Sequence, residues 1–289
     1  MSNSSGTLIF GRSRLWTAVF AAVILLGLVL TVKRYLSGLG SVTALNDYQP
    51  WGLWVGFDVL CGVALAAGGF VLTGIVHLLN FERYKTVIRP TVLTAFLGYI
   101  LVCVGLLYDL GKPWNIWHPL IMWNPHSVMF EVAWCVMLYS AVLALEFSPV
   151  VLEKLGSRKI LRLIRSATIP LVIAGILLST LHQSSLGTLF LIVPDKLHPL
   201  WYTNLLPLHF FLSAVSVGFA MVILESCLSS RLFNRSLETH IIADLGQFMV
   251  VALMLTLIVR IQDVSFKVGL GNIFDGSIES WAFLVEMTC

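Results

Sequence analysis

Seven stretches of this chain are apolar for long enough to cross a membrane, and no other feature limits its fold as much. Spanning a hydrocarbon core of roughly 30 Å takes about 20 apolar residues. Runs at about 15–36, 51–79, 91–110, 126–148, 167–190, 204–228 and 242–265 meet that length. Only 11% of the residues are charged and 58% are hydrophobic, where a soluble domain carries about 25% charged residues. With a mean hydropathy of +0.90, the chain reads as an all-α, polytopic membrane protein with little soluble mass. The first run follows Arg12 and Arg14. It is long for a signal-peptide core and no A-x-A site follows it, so it reads as an uncleaved membrane helix. An eighth run starts near Glu279, and its 11 residues to Cys289 would rise only about 16 Å. The expectation is that this sequence lacks a C-terminal part.

Loop charge sets the expected orientation, because basic residues are retained on the cytoplasmic side. Twelve basic residues fall on one side: Arg12, Arg14, Arg83, Lys85, Arg89, Lys154, Arg158, Lys159, Arg162, Arg165, Arg231 and Arg235. Five fall on the other: Lys33, Arg34, Lys112, Lys196 and Lys267. The N-terminus is therefore expected in the cytoplasm, and the loops 37–50, 111–125, 191–203 and 266–278 outside. The net charge of +3 is spread over short loops and indicates no nucleic-acid partner. The five cysteines are scattered without a C-x-x-C or C-x-x-C-H pattern, so the chain carries no signature for an iron–sulfur cluster, a zinc knuckle or covalent haem.

The second run is rich in small residues: Gly52, Gly56, Gly62, Ala64, Ala67, Gly68, Gly69 and Gly74. Small residues let helix backbones approach closely, which predicts a central place for this helix. A weak repeat is visible as well. The third run ends outward at Asp109 and the seventh near Asp263; the fourth begins SVMFE and the eighth SWAFLVE. A shift of four helices preserves orientation, so the expected organisation is an N-terminal helix (1–36), a four-helix bundle (37–190) and a second, incomplete bundle (191–289). Parallel repeats of this sort are a membrane architecture.

Charged and hydrogen-bonding side chains are costly in a bilayer and mark functional positions. They concentrate at the elbow 109–131, DLGKPWNIWHPLIMWNPHSVMFE, which has a carboxylate at each lip (Asp109, Glu131) and three tryptophans between them. Asp58, His182 with Gln183, and Arg260 with Asp263 fall in the outer halves of their runs, while His77, Glu146 and Glu225 lie toward the inner ends. Each has a bland reading. Asp109 and Asp263 also suit helix caps, His77 and Glu146 suit snorkelling to the surface, Arg260 and Asp263 suit mutual neutralisation three residues apart, and the tryptophans suit an interfacial belt. Asp58, Glu131 and Glu225 are harder to dismiss. The segment TLHQSSLGTLF (180–190) is dense in hydrogen-bonding groups, which suits a quinone, whose flat apolar ring carries two carbonyl oxygens. Neighbouring His and carboxylate groups can exchange the protons of its redox change. Two other function classes stay open on these residues: a secondary transporter, and a cytochrome subunit with haem b between His182 and His209. Against the first, the polar residues crowd the outer ends rather than the midplane. Against the second, neither helix has a second histidine about thirteen residues on, as a two-haem bundle wants.

The motifs WGLWVGFDVLCG (51–62), DLGKPW (109–114), NPHSVMFE (124–131), ALEFSP (144–149), LHQSSLGTL (181–189), HPLW (198–201) and ILES (223–226) resemble the NrfD/polysulfide-reductase membrane subunit family, most closely its HybB-like branch. The resemblance implies a haem-free integral subunit of the bacterial cytoplasmic membrane that binds quinone (menaquinone or ubiquinone) near the outer face. It implies electron exchange with a periplasmic four-cluster ferredoxin-like iron–sulfur subunit, itself linked to a hydrogenase, a multihaem cytochrome c or a molybdopterin enzyme in anaerobic respiration. Carried over by motif, it gives Asp109 a quinone role and Glu131 and Glu225 a proton-handling role. Position and chemistry extend the quinone side to His182, Gln183 and Asp58, and the proton side to Glu146 and His77. Family members of the HybB-like branch continue for about two further helices. The enzyme proper is expected in partner chains, with proton translocation as a further expectation.

Overall fold

The computed structural model describes residues 5–46, 52, 55–66, 68–78, 81–234, 236, 238–267, 269 and 273–288. They form helices α1 (Ser5–Ser37), α2 (Val63–Leu65), α3 (Gly68–Leu78), α4 (Lys85–Asp109), α5 (Val128–Leu155), α6 (Arg158–Ser166), α7 (Thr168–Leu191), α8 (Leu206–Phe233), α9 (Thr239–Lys267) and α10 (Ile278–Thr288). A π-helical stretch, Val55–Gly62, precedes α2. Seven spans among the described residues are long and apolar enough to cross a membrane, and they coincide with the seven apolar runs. The protein is a multi-pass, all-α membrane protein. The second run is not one helix. It passes from the π-helical stretch to α2, breaks, and resumes as α3 at the Gly68–Gly69 pair. Glycines weaken helix continuity, and π-helical turns recur at functional positions.

The chain divides into two compact units, Met1–Gly56 with Gly105–Ile116, and Phe57–Val104 with Trp117–Cys289. In the first unit, α1 is apolar all round and its apolar window has no buried residue, as suits a helix with lipid on every side. Its C-terminal end is polar and engaged. Arg34, only 3% exposed, donates from Nε to the Tyr108 carbonyl at 3.0 Å and from Nη2 to the Leu110 carbonyl. These are carbonyls at the C-terminal end of α4, where no further helical turn supplies donors. Thr31 Oγ1 and Tyr108 Oη are 3.2 Å apart, and the Tyr35 and Tyr108 rings meet edge to face at 5.9 Å.

In the second unit, α3 packs against both α7 and α8, and α7 lies between α5 and α8. Small residues make those contacts possible. A Cβ on Gly74 would stand 3.1 Å from Ile176 Cδ1 of α7, and one on Gly69, on the approach of α3 to α4, 2.8 Å from Ala95 Cβ. The closest approach is at Gly187 of α7, where a Cβ would fall 2.5 Å from the Leu206 carbonyl oxygen and 2.6 Å from Pro207 Cα. Helix α8 thus starts with its backbone against α7, and Pro207 in its first turn gives up an amide that has no helical partner there.

At the end where the basic loops lie, Leu72, Val76, Tyr84, Phe219, Val222, Ile241 and Leu245 form one buried cluster. Arg83 and Tyr84 share the Asp244 carboxylate, at 2.9 Å and 3.3 Å. Helix α6 was not visible as an apolar run. It is a short amphipathic helix, RKILRLIRS, whose Arg165 reaches Glu153 of α5 at 2.8 Å. At the opposite end a smaller cluster joins Leu200, Val264, Ile273 and Phe283.

Because the contact at Gly187 is with backbone, no side-chain rotation can relieve it. Gly187→Ala is expected to lower stability by about 1–3 kcal/mol through overpacking, read as a fall in the thermal unfolding midpoint in detergent. Gly246→Ala serves as control. Its Cβ would meet nothing within 4 Å, so it should leave the midpoint unchanged or raise it slightly.

Candidate functional site

The C-terminal residue of α4 is Asp109. A carboxylate there faces the negative end of the helix dipole, which disfavours it by roughly 0.3–1 kcal/mol, so local helix chemistry does not account for it. Both its oxygens are withdrawn from the surface. The missing side chain of Gly52 makes room, since a Cβ there would lie 3.7 Å from Asp109 Oδ1. The buried guanidinium of Arg34 binds the carbonyls on either side of this residue and sets positive charge at the same helix end. Asp58 lies in the π-helical stretch, and its side chain falls outside the described residues.

The elbow continues through two 3₁₀ turns, Pro113–Asn115 and His118–Leu120. Its tryptophans point outward, with Trp114 and Trp123 each 63% exposed. Ser127 then caps α5 by accepting from the Phe130 amide at 3.4 Å. Glu131 is half-buried in the first helical turn, where its charge suits the positive end of the dipole. Asp109 and Glu131 thus belong to different compact units.

The densest polar group lies inside the second unit, on facing stripes of α4, α5 and α7. Tyr99, Tyr139, Ser179, His182 and Gln183 are each at most 1% exposed. The Tyr99 ring meets Tyr139 edge to face at 4.7 Å and His182 at 6.0 Å. Ser179 stands beside both phenols without hydrogen-bonding geometry. The two phenol oxygens, the Ser179 hydroxyl and both ring nitrogens of His182 have no hydrogen-bond partner among the described residues. Each such group costs about 1–3 kcal/mol when left unbonded, so interior groups of this kind normally serve a ligand, an ion or ordered water. Gln183 is engaged. Its Nε2 donates to the Val63 carbonyl at 3.3 Å, at the break between α2 and α3. His182 is nine residues from the end of α7, about 14 Å along the axis, so it sits deep rather than at the rim.

Below Tyr139 the polar line continues. A Cβ on Gly175 would lie 3.5 Å from Val142 Cγ1, 3.7 Å from the Tyr139 ring and 3.8 Å from Glu146 Oε1, so α7 packs closely on this face of α5. Glu131, Cys135, Tyr139, Val142 and Glu146 recur at helical spacing on one face of α5. Fifteen residues separate the two glutamates, a rise of about 22 Å. Glu225 belongs to another group. It opens on a cavity of about 190 Å³ near the basic loops, whose other polar walls include Thr86, Thr91, Ser226 and Ser229. That is polar and roomy enough for several waters. His77 spends Nδ1 on the Thr73 carbonyl of its own helix, at 3.2 Å.

The sequence reading did not single out Tyr99, Tyr139, Ser179 or Arg34. Their signal was the stripe spacing, 95–99–102 on α4 and 175–179–182 on α7, which places polar hydroxyls on faces that are otherwise apolar. Nor did it foresee the partners of the Arg260–Asp263 pair. Asp263 accepts from Thr203 Oγ1 at 2.7 Å and lies 3.5 Å from His209 Nε2, while the Arg260 guanidinium lies over the Phe283 ring at 5.6 Å. Helix α10 brings Glu286 to the Trp201 indole, which donates to it.

The model of the family described as "Polysulphide reductase, NrfD" matches residues 41–287. The chain is 50% identical over 221 residues, 76% of its length, to a protein of Nitratidesulfovibrio vulgaris that bears no functional name. It is 35% identical over 274 residues, 93% of its length, to the probable Ni/Fe-hydrogenase 2 b-type cytochrome subunit of Escherichia coli. It is 32% identical over 262 residues, 86% of its length, to the integral membrane subunit of a menaquinone reductase of Nitratidesulfovibrio vulgaris. The matches cover 57%, 70% and 62% of those relatives. No solved structure matches the chain.

The loop before α10 gives a pH prediction. The Asp275 carboxylate accepts first from the Ser280 hydroxyl and then from the Ser277 amide, and these bonds hold its pKa down at about 2. An unperturbed aspartate titrates near 3.9. A depressed folded-state pKa means that the contribution is complete above about pH 4 and is lost as the pH falls through about 2. Amide protection in the first turn of α10, relative to Asp275→Asn at the same pH, should therefore be larger at pH 5 and vanish by pH 2.

Proposed function

The chain belongs to the NrfD polysulphide-reductase family, in its HybB-like branch, and on that premise we propose that it is the quinone-reactive membrane subunit of a respiratory oxidoreductase complex. Electrons pass between the membrane quinone pool and a periplasmic four-cluster iron–sulfur subunit, which a hydrogenase, a multihaem cytochrome c or a molybdopterin enzyme serves in turn. The N-terminus is cytoplasmic and the elbow faces the periplasm of a bacterial inner membrane. There the exposed tryptophans 114, 117 and 123 flank the docking side.

The observation that carries this reading is the buried cluster of Tyr99, Tyr139, Ser179 and His182, whose hydrogen-bonding atoms are unspent in the membrane interior. Quinone reduction adds two electrons and two protons to the two ring oxygens. The electrons come from the partner's clusters, and the protons must come through this chain. Asp109, Asp58, His182 and Gln183 are assigned quinone roles. His182 offers a ring nitrogen to a quinone oxygen, while the Gln183 side-chain oxygen, its amide being engaged with Val63, can accept from a quinol hydroxyl. Glu131 and Glu146 terminate the α5 stripe, with Tyr139 and Tyr99 as hydroxyl relays between them and His182. Glu225, beside its polar cavity, and His77 serve proton exchange with the cytoplasmic side.

A haem reading draws on the relative named as a b-type cytochrome and on His182 and His209, whose ring nitrogens lack hydrogen-bond partners among the described residues. Against it stands the packing of α7 on α8. Gly187 touches the backbone of Leu206 and Pro207, five residues from His182 and two from His209. A macrocycle ligated by both would have to part helices that are in backbone contact there. We favour a haem-free chain, and the purified protein should lack a Soret band.

The test of the quinone and proton roles uses the assembled complex in liposomes, with quinone-linked turnover and proton movement recorded together. Glu131→Gln and Asp109→Asn should each lower quinone-linked turnover at least tenfold. Tyr139→Phe keeps the ring and removes only the hydroxyl, so it should slow proton movement while leaving benzyl-viologen-linked activity of the partner intact. Unchanged turnover and unchanged proton movement in all three variants would sink the assignment.

A further inference from the structure

We propose that the cavity between α8, α9 and α10 is a second headgroup site, which takes the neutral, oxygen-bearing ring of a quinone or quinol with Arg260 and His209 at its polar end. The ligand class rests on the quinone reading above, but the site is separate from the residues assigned there.

The cavity has a volume of about 610 Å³, within the range of pockets that hold a ring and the start of an isoprenoid tail. Its walls are largely apolar, with Phe210, Leu257 and Met287 among them, and its polar groups include His209, Arg260 and Glu286. His209 and Arg260 are each 7% exposed. Arg260 Nε and both ring nitrogens of His209 have no hydrogen-bond partner among the described residues. One oxygen of each carboxylate is already bonded, Asp263 Oδ1 by Thr203 and Glu286 Oε2 by Trp201, while Asp263 Oδ2 stands 3.5 Å from His209 Nε2, longer than a strong hydrogen bond. The guanidinium has both carboxylates as electrostatic neighbours, so its charge is answered while its Nε–H remains available.

Charge decides what the ligand is. One arginine against the Asp263 and Glu286 carboxylates leaves the polar end with no excess of positive charge, whichever state His209 is in. A lipid phosphate or another anion would find no net attraction there. A carbonyl oxygen needs none. It accepts from Arg260 Nε–H, and His209 donates or accepts at the ring according to its tautomer, which accommodates the quinone and the quinol alike. The repeat expected from the sequence makes Asp263 and Glu286 the second-half counterparts of Asp109 and Glu131.

The experiment is photolabelling of the assembled, quinone-depleted complex in nanodiscs with an azido-quinone, the modified peptides being mapped by mass spectrometry. Labels are expected on peptides containing 253–260 and 286–288, at least fivefold weaker in Arg260→Gln and in Leu257→Trp, which fills the cavity from its apolar wall. Labels at the 109–131 elbow should persist in both variants. If Arg260→Gln does not assemble, wild-type mapping and Leu257→Trp decide. Labels confined to the elbow would overturn the second site and leave the quinone reading standing, whereas no label anywhere would remove both. Labelling of the same peptides by a photoreactive phosphatidylglycerol, not competed by quinone, would also overturn it, as would a map of the complex with protein side chains filling the cavity.

Discussion

A polar group inside hydrocarbon must be bonded, paired or wetted, because nothing in a lipid tail can answer it. That constraint organises this protein. Among the described residues its backbone meets the requirement by being helical through most of the length of seven spans. At helix ends and breaks the requirement is met case by case. Arg34 reaches the carbonyls at the end of α4, and Gln183 reaches the Val63 carbonyl where α2 stops. The side chains that do not meet it are therefore informative. Among the described residues they gather around Tyr99 and His182, and around His209 and Arg260. Folded chains normally bond buried groups of this kind to one another, and at these two places the packing holds them apart.

Close packing keeps those groups where they are. With lipid as solvent, helices associate through van der Waals contact and small residues rather than through exclusion of water. Gly74 and Gly187 bring α3, α7 and α8 within reach of one another, and Gly69 lets α3 approach α4. A rigid frame of this kind does two things at once. It holds the tyrosines in place, and at Gly175 it sets α7 close against the face of α5 that carries Tyr139, Val142 and Glu146.

Much of this was legible in the chain. The spans needed only length and composition, and the carboxylates were visible because each stands out in an apolar run. The interior hydroxyls were harder to see. A tyrosine in a membrane helix reads as an aromatic hydrophobe, and only its stripe position shows that its oxygen is buried. Arg34 was counted among loop charges, since a long side chain at the end of an apolar run normally snorkels to water; instead it turns inward to carbonyls 74 and 76 residues away. The π-helical stretch and the turn at Ala66 were hidden because hydropathy alone does not distinguish helix types within an apolar run. Helix α6 was missed because nine residues are too few to register as a run, and its basic residues were read as loop charge alone.

The depth of the polar groups bears on how electron and proton transfer are coupled. Asp109 ends its helix, whereas His182 lies about 14 Å inside α7, and the Glu131–Glu146 stripe covers about 22 Å of a core of roughly 30 Å. On the proposed reading the quinone ring carries the electrons through the lipid, so only the gap between the membrane face and the bound ring is left for them to cross. Protons have no such carrier and need residues along the way. On the proposed reading, a chain without a cluster ligand pattern that lines its interior with hydroxyl, imidazole and carboxylate groups serves the proton half of quinone chemistry, the electrons being assigned to a partner subunit.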